Sequence, residues 1–196
     1  MDLQVSVFLL FVAFTSGHSL SCYQCGSVMG VCIFPSEITC PSGKSMCESV
    51  TLVSNLGLKM KGKDCSADCE VGTINFGVSQ MSSTCCNSDR CNKEDAPDPS
   101  TGTPNGKMCY YCKENSCLYS LSCSGTEDHC VTATADFSGQ PEILKGCASK
   151  SFCDAKGTGP FKSFSCCSGN LCNGAKSVTQ SFLILCLPLI TFILML

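Results

Sequence analysis

The chain has 196 residues, a formal charge of −3, no Trp and 21 Cys. About a tenth of it being cysteine marks a disulfide scaffold rather than a domain held by a conventional core. The near-neutral balance supplies no basic stripe of the kind a phosphate backbone demands, which argues against nucleic acid as a partner.

In chain order, Val5 to Phe14 is a short apolar run, followed by Thr15-Ser16-Gly17-His18-Ser19 ahead of the first cysteine. It reads as a secretory signal peptide over residues 1–19, with cleavage after Gly17 or Ser19. Asp2 precedes the run and no Lys or Arg does, so the terminal amine alone supplies positive charge. A dense cysteine pattern needs the oxidising compartment such a peptide leads to.

Two stretches share one grammar: Cys85-Cys86-Asn87-Ser88-Asp89-Arg90-Cys91-Asn92 and Cys166-Cys167-Ser168-Gly169-Asn170-Leu171-Cys172-Asn173. Adjacent cysteines rarely bond to each other, so each motif reaches both back and forward and closes the unit before it. Each unit holds ten cysteines, opens with Cys-Tyr-x-Cys and ends with Cys-Cys-x4-Cys-Asn, an internal repeat. Cys22 to Asn92 and Cys109 to Asn173 make units of 71 and 65 residues, a size that usually needs disulfides, metal or partners to stay folded. Spacing alone leaves the connectivity open.

The repeated pattern resembles the three-finger domain of the family that includes the lymphocyte-antigen-six proteins, the urokinase receptor and snake toxins. The resemblance covers both units and implies a small, disulfide-rich all-β fold with two tandem three-finger domains, residues 20–92 and 108–173. It further implies the pairs Cys22 with Cys47, Cys25 with Cys32, Cys40 with Cys65, Cys69 with Cys85, and Cys86 with Cys91. In the second unit it implies Cys109 with Cys130, Cys112 with Cys117, Cys123 with Cys147, Cys153 with Cys166, and Cys167 with Cys172. Asn92 and Asn173 fall at the family's terminal Asn, whose amide hydrogen-bonds the backbone of the knot. The urokinase receptor's first domain lacks the pair that Cys69 and Cys85 would make.

The segments between cysteines read as hairpins. Cys47 to Val53 is rich in β-branched residues, Ser54-Asn55-Leu56-Gly57 turns, and Leu58 to Lys63 alternates on the return. The counterpart is His129 to Phe137, turning at Ser138-Gly139-Gln140-Pro141 and returning through Ile143 and Leu144. Third fingers are expected over Glu70 to Thr84 and, shorter, Asp154 to Ser165 with a Gly157-Thr158-Gly159-Pro160 turn. Alternation puts Lys59, Lys61 and Lys63 on one strand face. That face suits an acidic ligand or, more plainly, is a solvated edge that discourages aggregation. Phe137, Phe152, Phe161 and Phe164 either line a binding surface or cover the second unit's sheet, the latter being favoured in so small a domain.

Residues 93–107, with three prolines and three acidic residues, read as an extended, solvated linker that leaves the packing of the two units open. O-glycans on Ser100, Thr101 or Thr103 are compatible with it. After residue 173 come small and polar residues, then the uncharged run Phe182 to Leu196, interrupted by Pro188. As helix it would reach roughly 22 Å at about 1.5 Å per residue, short of a roughly 30 Å hydrocarbon core. Small residues, a spacer and an apolar tail form the signal for a glycosylphosphatidylinositol anchor, with residues 174–196 removed and lipid joined to Asn173; Gly174 and Ser177 are the alternatives. Cys186 would leave with the tail.

Catalytic and metal motifs are missing from the pattern. Cys-x2-Cys at Cys22 or Cys109 does not explain ten matched cysteines as a zinc site. His129 beside Cys130 has no thiolate to activate if that cysteine is bridged. The expectation is a non-enzymatic, cofactor-free and metal-free binding protein at the outer face of the plasma membrane, lipid-anchored and recognising an extracellular protein ligand. The alternative is a secreted two-domain inhibitor resembling the plasma phospholipase inhibitors.

Overall fold

The computed structural model describes residues 19–27, 30–114, 116–137, 139–154 and 161–174. The signal peptide, the Gly157-Thr158-Gly159-Pro160 turn, the apolar tail with Cys186 and the Phe137 side chain lie outside the described residues. The first unit contains β1 (Ser21–Ser27), β2 (Ser36–Thr39), β3 (Met46–Ser54), β4 (Lys59–Ser66), β5 (Gly72–Asn75) and β6 (Ser79–Cys86). The second contains β7 (Pro104–Lys113), β8 (Ser116–Ser124), β9 (His129–Phe137), β10 (Gln140–Ala148), a short helix α1 (Lys150–Asp154) and β11 (Phe161–Cys167). All pairings are antiparallel.

Both units close with the same local chemistry. Arg90 and Leu171 take left-handed φ angles of 55° and 58°. Their amides donate to Ser21 O and Met108 O, at 2.7 Å in each unit. Asp89 and Asn170 accept from the amides of the same two residues, Ser21 and Met108. Asn92 then acts as a clamp: Tyr23 N donates to Oδ1 at 2.9 Å, and Nδ2 donates to Tyr23 O and Glu48 O. Asn173 repeats the arrangement on Tyr110 and Val131. A buried amide with all three bonds made fixes the first strand of each unit against its middle finger.

The middle hairpins follow from pattern and turn chemistry. β3 pairs β4 from Met46↔Ser66 to Val53↔Lys59. Gly57 turns at φ +78°, and Ser54 Oγ accepts from Leu58 N at 3.2 Å. β9 pairs β10 along nine positions, from Gln140↔Phe137 to Ala148↔His129. The second unit's third finger departs from a simple hairpin: among the described residues, α1 precedes a single strand, β11, which lies on β9.

Most of the linker is exposed, as its composition suggests, yet its first half does not stand free of the first unit. Ala96 is buried, Pro99–Thr101 forms a 3-10 turn, and residues 93–98 lie along β3, β4 and β6. Nor does it extend to residue 107, because β7 begins at Pro104, pairs with Ser124, and is pinned by Asn105 Nδ2 donating to Gly125 O and Glu127 O. Composition registered the prolines but not the polar face waiting for them.

The two units share a sheet. β5 pairs β10 through Cys147↔Asn75 and Ala148↔Ile74, giving nine strands in the order β11-β9-β10-β5-β6-β3-β4-β1-β2, with β7-β8 as a separate pair. Gly146 permits this approach: a Cβ there would overlap the Asn75 carbonyl oxygen. Across the junction Ile74 and Phe76 of the first unit enter one buried cluster with Val131, Ala133, Ala148 and Phe152 of the second. Phe161 packs edge-on against Phe76, 5.8 Å between centroids. Thus Phe152, Phe161 and Phe164 are core or core-covering residues, and the core they build spans both units.

Candidate functional site

Each knot is built from stacked bridges. Among the described residues there are ten disulfides: Cys22–Cys47, Cys25–Cys32, Cys40–Cys65, Cys69–Cys85, Cys86–Cys91, Cys109–Cys130, Cys112–Cys117, Cys123–Cys147, Cys153–Cys166 and Cys167–Cys172. The structure thus brings each of these cysteines to the partner that the resemblance implied. Cys22, Cys40 and Cys65 gather closely enough to suggest metal ligands, as do Cys109, Cys123 and Cys147, but all six sulfurs are spent in bridges. A bridged sulfur is neither the nucleophile nor the ligand that a thiolate is. His129 Nδ1 lies 2.8 Å from Asp128 Oδ1, and this contact holds the aspartate below its ordinary pKa. Cys130 beside it is bridged to Cys109.

Five of the exposed large apolar side chains lie at the ends of the first unit's first two fingers, while Leu118 and Ile143 are exposed in the second unit. At the end of the first finger, Val31, Ile33 and Phe34 stand out, Phe34 being 93% exposed. Leu56, 91% exposed, and Leu58 occupy the turn of the second. These ends adjoin, since a Cβ on Gly30 would lie 3.2 Å from the Lys59 stem. An isolated exposed leucine is ordinary, but five large apolar residues on neighbouring turns, where polar residues are the norm, make an apolar patch that needs an explanation.

Lys59, Lys61 and Lys63 do share a face, but it is only partly solvated and it is not vacant. Lys59 pairs with Asp98; Lys61 reaches Asp95 Oδ2 at 2.7 Å; Lys63 lies 3.1 Å from Asp95 Oδ1 and also donates to Lys93 O. Ser49 and Thr51 donate to Glu94 O and Ala96 O at 3.0 and 2.8 Å, and Ser82 donates to Pro97 O. The Lys61 hydrogen bond, helped by Lys63 and opposed by partial burial, holds Asp95 below its ordinary pKa. The signal in the sequence was complementarity: three alternate lysines facing acids thirty to forty residues away.

At the seam, Glu127 is buried, 2% exposed. Ser124 N donates to its carboxylate at 2.9 Å. Burial nevertheless raises its pKa, while Ser124, Asn75 and Thr73 pull it down. Its position in a loop before Cys130 gave no hint of this role. Asn173 is equally enclosed, its side chain committed to the clamp.

These features define tandem three-finger domains that present hairpin surfaces. The chain belongs to the snake toxin and toxin-like protein family, whose model matches residues 20–92 and 108–173. Over 184 residues it is 29% identical to the urokinase plasminogen activator surface receptor of Rattus norvegicus, covering 82% of this chain and 56% of that protein. The chain therefore spans little more than half of that receptor. It is also 29% identical over 166 residues to a phospholipase A2 inhibitor of Lachesis muta muta, covering 74% of this chain and 81% of the inhibitor. The solved structure of mouse TEX101 aligns at 18% identity over 77% of this chain and 99% of that one, with a TM-score of 0.32. Relatives thus include a surface receptor and an inhibitor. Among the described residues no helix is long and apolar enough to cross a membrane.

Proposed function

We propose that this chain is a non-enzymatic binding protein of the cell surface that recognises an extracellular protein ligand through the ends of its first-domain fingers. The observation that carries this reading is the apolar group Val31, Ile33, Phe34, Leu56 and Leu58, exposed on adjoining turns of the first domain. Large apolar side chains supply contact area and contribute binding free energy when a partner takes them out of water. In the same reading a glycosylphosphatidylinositol lipid, joined at Asn173, holds the protein to the outer leaflet; the uncharged run 182–196 supports it.

Two measurements test these parts separately. Treating expressing cells with phosphatidylinositol-specific phospholipase C should release the protein into the medium, detected with an antibody to the two-domain portion; retention on cells opposes the lipid anchor. Replacing Phe34 and Leu56 together by Ser should abolish capture of a binding partner without changing the melting temperature, and unchanged capture opposes the finger-end surface. A second reading, a secreted inhibitor of a secreted enzyme, is favoured by coverage, since the match takes in 81% of the snake inhibitor but 56% of the rat receptor. Constitutive appearance in the medium without the lipase supports that reading.

A further inference from the structure

The face formed by β6, β3 and β4 has the makeup of a peptide site. Ser49 and Thr51, two residues apart on β3, and Ser82, opposite Thr51 on β6, direct hydroxyls at main-chain carbonyls of residues 94, 96 and 97. Such bonds hold an extended chain whatever its side chains. Lys59, Lys61 and Lys63, each two residues apart on β4, meet the carboxylates of Asp95 and Asp98 and the carbonyl of Lys93. Those contacts select acid at two positions three residues apart. Main-chain bonds for affinity and side-chain sites for selectivity are the division of labour seen when proteins bind extended peptides. Ala96 between the acids is buried, so only a small residue fits the middle of the site.

We propose that this face is a binding site for an extended, acidic peptide segment of a partner protein, of the form Asp-small-Pro-Asp, held closed by the chain's own linker. Lys59 and Lys61 keep part of their surface in water, so their ion pairs with the linker are of the weak, exchangeable kind. The linker holds the face chiefly because it is tethered, which gives it an effective concentration in the millimolar range. A trans segment of matching sequence, bound at several sites at once or presented at high local density, displaces it. This surface is distinct from the apolar finger ends, and the proposal does not rest on them.

The probe is a fluorescein-labelled synthetic peptide with the sequence of Lys93 to Pro99, titrated against the full two-domain chain by fluorescence anisotropy. Replacing Asp95 and Asp98 of the chain by Asn weakens the internal contact, and this variant should bind the peptide at least about tenfold more tightly than the unaltered chain. Adding Lys59→Ser and Lys61→Ser to that variant should abolish the gain, and a peptide with both aspartates changed to Asn should not bind. Equal affinity of the unaltered and linker variants, or a gain that survives loss of the lysines, overturns the proposal. A second measurement guards against a misfolded variant. In the unaltered chain, saturating peptide should move the NMR resonances of the buried Ala96 toward those of an exposed chain, and no change at millimolar peptide overturns the proposal as well.

Discussion

The two domains share a knot but stabilise their sheets differently. In the first, the buried positions outside the disulfides are largely polar: Ser49, Thr51, Lys63, Ser82 and Ser83, covered in part by residues 93–98. In the second, Val131, Ala133, Ala148 and Phe152 form an apolar cluster that is completed by Ile74 and Phe76 from the first. One domain is closed by its own exit segment, whereas the other borrows side chains from its neighbour. A polar face under a removable strap can exchange partners at modest cost. A shared apolar core cannot, so the seam is the rigid part of the molecule and the strapped face the adaptable part.

The contrast breaks most visibly at the seam. Phe76→Ala, though placed in the first domain, should destabilise the second by about 3–5 kcal/mol, because it empties a site lined by residues of both. Calorimetry should show the loss in the transition of the second domain, assigned by hydrogen exchange at Val131 and Ala133. If only the first domain's amides become labile, the core is not shared. Gly146→Ala, which drives a Cβ into the Asn75 carbonyl, should cost about 1–3 kcal/mol or separate the domains, raising the radius of gyration in small-angle scattering. A radius unchanged at full stability would show that β10 can move aside.

Next in size are the clamps. Asn92→Ala and Asn173→Ala each strand backbone groups of Tyr23 and Glu48, or of Tyr110 and Val131, at a cost of about 1–3 kcal/mol. Chemical denaturation should give nearly equal losses for the two, since their bonding is nearly identical. A large inequality would locate extra support for one knot, and the shared core makes the second the one to watch.

Much of this was legible from residues. The cysteine repeat pointed to two domains, and the β-branched run into Asn55-Leu56-Gly57 marked the middle hairpin, because turn chemistry and period-two alternation are local properties. The phenylalanines Phe152, Phe161 and Phe164 were correctly favoured as structural, but nothing local indicated that their partners are Ile74 and Phe76, some eighty residues earlier. The lysine face was placed on one side of β4 while its fate was missed. Alternation fixes which side a residue is on, whereas what covers that side depends on where a distant segment returns. Glu127 is the extreme case: an acidic loop residue is normally solvated, and here Thr73 and Asn75 of the first unit join Ser124 and Asn105 around it.

The smallest effects sharpen the comparison through pH. Asp95 is held below its ordinary value of 3.8, so the strap's contribution is fully present above that value and fades as pH falls through the lowered one. Glu127 is raised above 4.5 by burial, so its effect has the opposite sign: the seam is firmest with the carboxyl protonated, below 4.5, and loses that part as pH rises through the raised value. Acidification from neutrality should therefore tighten the seam first and loosen the strap only later. Hydrogen exchange resolves the two: protection at Cys147 and Ala148, corrected for intrinsic rates, should increase on approaching pH 4.5, while linker protection falls only below pH 3.8. Glu127→Gln should remove the first trend and leave the second. Asp95→Asn should remove the second at a cost of about 0.2–1 kcal/mol to linker protection, the size of one partly exposed ion pair. A strap that loosens before the seam tightens would reverse the assignment, making the domain junction rather than the linker the adaptable element.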